Sequence, residues 1–102
     1  MSLQSKILTL LSGITDPLVR TDIASTINYL FSLYAGGHAD EAKIRSALYS
    51  ACLEVVSAMH PELTKDEIRK KCEILADEFL RAFKLESVSR RMMSAFRGVL
   101  RP

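Results

Sequence analysis

The sequence is poor in the features that mark specialised small proteins. Its 102 residues hold only two cysteines, Cys52 and Cys72. A secreted scaffold of this size usually carries four or more. The 19 residues between the two fit no zinc-ligand spacing. Both therefore read as reduced, buried, small apolar residues. A disulfide closing the Cys52–Cys72 loop is the lesser reading.

Histidine is equally scarce. His38 and His60 each sit beside a helix break, with no carboxylate partner evident nearby. No H-E-x-x-H, G-x-S-x-G or phosphate-binding loop is present. Glu73 and Asp77 lie one helical turn apart, but Lys70, Lys71 and Arg81 flank them, so they read as solvated salt-bridging acids rather than metal ligands. No catalytic residue, cofactor or metal is expected.

Long apolar runs are missing too. The least charged stretch, residues 23–39, still carries Ser25, Thr26, Asn28, Ser32 and Gly36-Gly37, which does not suit a membrane span. Residues 1–13 lack the pattern of a secretory leader. A soluble, cytoplasmic protein is expected. No segment alternates apolar and polar residues as a half-buried strand does.

What is present is helical. Apolar residues make up 48% and charged residues 25%, ordinary values for one folded domain over 1–102. Gly13, Asp16-Pro17, Gly36-Gly37, His60-Pro61 and residues 85–89 punctuate the chain. The spacing predicts helices over about 3–12, 17–35, 40–59, 65–84 and 88–100. They should form an all-α bundle, orthogonal or up-down.

Asp16 and Pro17 suit the start of helix two, and Gly36-Gly37 its end. Val19, Ile23, Ile27, Leu30, Phe31 and Tyr34 form its expected core stripe. Ile44, Leu48, Ala51, Cys52, Val55 and Met59 do the same for helix three. Thr64-Lys65-Asp66-Glu67 is a capping box for helix four, whose inner face runs through Ile68, Cys72, Leu75, Ala76, Phe79 and Phe83. Asp66–Lys70, Glu67–Lys71 and Asp77–Arg81 are expected surface pairs. Ser87 is the expected cap of helix five.

Two surfaces stand out. The net charge of +2 hides an asymmetry. Residues 1–64 hold 4 basic and 6 acidic groups, and residues 65–102 hold 10 and 6. From Arg81 onward the basic residues are Arg81, Lys84, Arg90, Arg91, Arg97 and Arg101, against Glu86 alone. Arg90, Arg97 and Arg101 share one face of the last helix, with Val88, Met92, Ala95, Phe96 and Val99 opposite. Such a face could contact nucleic acid, an anionic membrane or an acidic protein groove. Equally, its apolar side could simply close the bundle, leaving the arginines to the helix C-terminus. A helix-turn-helix is not expected, because the pattern opened by Arg20 to Ser25 continues without a recognition helix.

The second surface is an uncharged stripe on helix two: Thr21, Ser25, Asn28 and Ser32. Solvated helix faces normally carry Lys and Glu. With the small residues of helix three and Ile74 on the charged face of helix four, this stripe reads as an oligomer seam. The expected function is a non-catalytic interaction module, homodimeric, presenting a basic C-terminal helix. The alternative is nucleic-acid binding through the arginines.

Overall fold

A computed structural model describes residues 2–100, with side chains described for residues 2–93. The described residues form an all-α bundle of four helices. Each helix begins and ends for a local reason.

Helix α1 spans Leu3–Leu11, and Ser2 caps it by accepting from the Ser5 N–H at 3.2 Å. Helix α2 spans Pro17–Ala35, with the Asp16 carboxylate accepting from the Leu18 N–H at 2.9 Å. Its C-terminus closes as a Schellman motif. The His38 N–H donates to the Leu33 carbonyl at 2.9 Å, and the Gly37 N–H to that of Tyr34 at 3.2 Å. Gly37 sits at φ 71°, where an L side chain is strained.

Helix α3 spans Glu41–Met59, and the Asp40 carboxylate accepts from the Lys43 N–H at 2.8 Å. It stops at His60, ahead of Pro61. Helix α4 spans Lys65–Leu100, 36 residues without interruption. The capping box at its start is formed in both directions. The Glu67 N–H donates to Thr64 Oγ1 at 3.2 Å, and the Thr64 N–H donates to Glu67 Oε1 at 3.0 Å.

The expected break over residues 85–89 is therefore absent. Nothing in Leu85-Glu86-Ser87-Val88-Ser89 stops a helix. It contains no Gly or Pro, and Ser and Val cost only about 0.5 kcal/mol each in propensity. Glu86 and Arg90 make an i, i+4 pair across the segment at 3.6 Å. Ser87 does not cap; it is buried against the core at 5% exposure.

The helices pack up and down. Lys84 of α4 bonds Glu41 at the start of α3, and Asp77 bonds Arg45 one turn further along α3. Residue numbers rise on α3 as they fall on α4, so the two run antiparallel. The start of α2 lies beside the end of α3, where Asp22 and Ile23 share a cleft with Glu54 and Ala58. Helix α1 covers both neighbours: Lys6 bonds Glu78 at 3.1 Å, and Gln4 Nε2 donates to Asn28 Oδ1 at 3.2 Å.

One apolar cluster joins all four helices, through residues such as Leu3, Ile27, Ile44, Leu48, Phe79 and Phe83. Several placements depart from the expected stripes, Leu80 and Ala82 of α4 among them, both buried. Val19 is 41% exposed, and Val56 is buried. Val19 precedes the point where α3 covers α2 fully, so it sits at the rim of the cleft. Cys52 and Cys72 are free and buried. Burial, with Cys72 close by, pushes the Cys52 thiol up to about 12. Burial also raises that of Cys72.

The surface pairs differ from those expected. Asp66 bonds Arg69 at 3.0 Å, Glu67 is spent on its cap, and Asp77 reaches across to Arg45 at 2.7 Å. A capping or interhelical partner with good geometry outcompetes an exposed i, i+4 pair. The Arg45 guanidinium holds the Asp77 carboxyl below its usual range. His60 does have a carboxylate neighbour, Glu62, at 3.1 Å from Nδ1.

Candidate interaction surface

Helix α4 is about twice the length of α2 or α3, about 54 Å at 1.5 Å per residue. Its partners end before it does. Glu41, the first residue of α3, lies level with Lys84. The last described contact with α2 is Arg90 over the Phe31 ring, 4.8 Å from the centroid. The molecule is correspondingly long, 59 × 28 × 21 Å.

The apolar stripe of α4 changes sides at this point. Up to Phe83 it faces the bundle: Cys72, Ala76, Phe79 and Phe83 are all at most 1% exposed. At about 100° per residue, Leu85, Val88 and Met92 lie about 200°, 140° and 180° around the helix from Phe83. They therefore point away from the bundle, and their exposures are 61%, 50% and 67%. Ser89 and Met93 adjoin them on the same exposed surface of the helix. Ile74, 60% exposed, falls on the same outer line two heptads before Val88, with Arg81 between.

The basic residues take the complementary arrangement. Arg90 lies within about 20° of the Phe83 direction, which is why it reaches Phe31. The apolar side of the C-terminal half, which on one reading of the sequence closes the bundle, thus faces solvent at least as far as Met93, while Arg90, itself largely exposed, lies over Phe31 on the bundle side. Lys84 is held by Glu41, which raises its pKa. Arg81 and Arg91 are exposed and make no ion pair among the described residues. Arg81 does lie near enough to Asp77 to help lower its pKa. The side chain of Arg97, with those of Ala95, Phe96 and Val99, and all of Arg101 fall outside the described residues.

The uncharged stripe on α2 is exposed, at Thr21, Ser25, Asn28 and Ser32. Its side chains bond locally. Asn28 Nδ2 donates to the Ala24 carbonyl at 2.9 Å, Asn28 Oδ1 accepts from Gln4, and Ser32 Oγ donates to the Asn28 carbonyl at 3.2 Å. Such back-bonding accounts for part of the stripe without a partner. Ile74 lies on α4, on the outer line described above, and not with this stripe.

Among the described residues, no three His, Cys, Asp or Glu side chains come together as metal ligands. No described helix is long and apolar enough to cross a membrane. No protein-family model, no curated protein and no solved structure shows significant similarity to the chain.

Proposed function

We propose that the chain is a non-catalytic helical interaction module of the cytoplasm that self-associates through the outer stripe of α4. One observation carries this reading. Leu85, Val88 and Met92 are large, apolar, adjacent and at least half exposed on a helix that outruns its own bundle. Contiguous apolar surface of this kind is a mark of association, since each Å² covered gains about 25 cal/mol. The spacing of three and four residues keeps these side chains on one line along the helix, and the sequence continues it at Ala95 and Val99. The seat of association therefore moves from α2 to α4, with Ile74 and Arg81 on the same line.

Nucleic-acid binding has fewer groups to draw on than the sequence suggests. Arg90 is engaged with Phe31 and Glu86, and Lys84 with Glu41. Sedimentation velocity across a micromolar concentration series tests the proposal. The wild type should associate, and a Leu85→Glu/Met92→Glu variant should sediment as a monomer with unchanged helicity. A monomeric wild type that instead binds a labelled oligonucleotide, with affinity falling steeply as salt rises, would replace this reading with the nucleic-acid one.

A further inference from the structure

We infer that the surface receiving the outer stripe of α4 is an acidic cleft at the far end of a second copy of this chain. The inference rests on the self-association proposed above and names the receiving site. The cleft lies between the start of α2 and the end of α3 and has a volume of about 840 Å³. Ile14, Leu18, Val19 and Ile23 supply much of its apolar wall, and Leu18 is left 80% exposed. Asp16, Asp22 and Glu54 supply its charge, and no basic residue lines it. Asp16 is occupied in capping α2. Asp22 and Glu54 are exposed and have no ion-pair partner among the described residues.

The outer stripe of α4 has the opposite character. It too is apolar at its centre, at Leu85, Val88 and Met92. Arg81 lies on its line and Arg91 at its flank, about 60° around the helix from Val88; both are basic, exposed and unpaired among the described residues. Apolar surface therefore meets apolar surface and positive charge meets negative, the arrangement that sets register and partner choice at interfaces. Two copies of the stripe meeting parallel and in register would instead set Arg81 against Arg81.

A copy cannot fill its own cleft. Leu85 lies about level with the first residue of α3, and the cleft is built on its last turns, about 20–27 Å away along that helix. Helix α4 runs from the cleft end towards the stripe end and continues outward. The occupant must therefore come from a second molecule, in a contact between unlike surfaces.

Charge reversal tests this in both directions by sedimentation velocity at low salt. One variant carries Arg81→Glu and Arg91→Glu on the stripe, and another carries Asp22→Lys and Glu54→Lys at the cleft. All four positions are exposed, so circular dichroism should report intact folds. Each variant alone should associate roughly tenfold more weakly than the wild type. An equimolar mixture should recover association, because each unlike pair of surfaces is again complementary. A cleft variant that associates like the wild type would overturn the assignment of the cleft, and so would a mixture that stays dissociated. If the wild type itself is monomeric, the self-association proposal has failed, and that result is distinct from either of these.

Discussion

The guanidinium of Arg90 lies over the ring of Phe31, 4.8 Å from its centroid, and the same ring meets Phe83 edge to face at 5.3 Å. Phe83 and Arg90 are seven residues apart, about two helical turns. One face of α4 thus grips the end of α2 twice. Both contacts lie on the face of α4 opposite Leu85, Val88 and Met92, which therefore point outward.

Removing the outer half of the grip should be measurable. Arg90→Ala should cost about 0.5–1 kcal/mol in urea denaturation, the usual size of a partly exposed cation–π contact. Arg90→Lys should retain part of it. A double-mutant cycle with Phe31→Leu should assign the loss to the pair, as a coupling that vanishes once the ring is gone. Purely additive losses would show that the contact does not hold the helix.

The helix ends give independent checks. Gly37→Ala should destabilise by about 1 kcal/mol, because φ 71° is a left-handed conformation. Thr64→Ala should cost about 1 kcal/mol through the lost cap. Combined with Glu67→Ala, its loss should be less than additive, since the two residues serve one reciprocal box. Thermal unfolding reads all of these.

Much of this was legible in the sequence, and the part that was not has a specific cause. Asp16, Gly36-Gly37 and Thr64 to Glu67 signal ends through local backbone conformation and hydrogen bonding, which act over a few residues and survive in any context. The C-terminal third was misdivided because the apolar pattern shifts by about half a turn between Phe83 and Leu85. A change of phase looks like the start of a new helix, and Ser87 looks like its cap. In the structure the helix runs on and the stripe changes sides. The ion pair between Arg45 and Asp77, 32 residues apart, likewise depends on how α3 meets α4, which no local pattern encodes.

Stability should fall on both sides of neutrality. Glu67 and Asp77 have lowered pKa values, through hydrogen bonds from Thr64 and from Arg45 respectively. A group whose folded value lies below its unfolded one stabilises above the unfolded pKa, and loses that as pH drops through the folded value. The acid-side loss should therefore begin as pH falls into the usual carboxylate range and be complete only below it. Cys52 shows the reverse, raised by burial from 9.0 to about 12. Its contribution is complete below pH 9 and lost as pH climbs towards 12. Lys84, raised by its bond to Glu41, acts in the same alkaline direction. Denaturant titrations across pH should show a plateau with two falling limbs. A Cys52→Ala variant should shorten the alkaline limb. At neutral pH both thiols should react with an alkylating reagent far more slowly in the native protein than in denaturant.

The most direct measurement asks whether the outer stripe becomes covered. Met92 is 67% exposed in the single chain, so peroxide should oxidise it readily at high dilution. Mass spectrometry of the peptide holding Met92 gives its oxidation rate at each protein concentration. The account predicts that the rate falls as concentration rises through the association range. In a Leu85→Glu variant it should stay constant. An equal, fast rate for the wild type at every concentration would contradict it, because the stripe would then remain in water and serve no partner of its own kind.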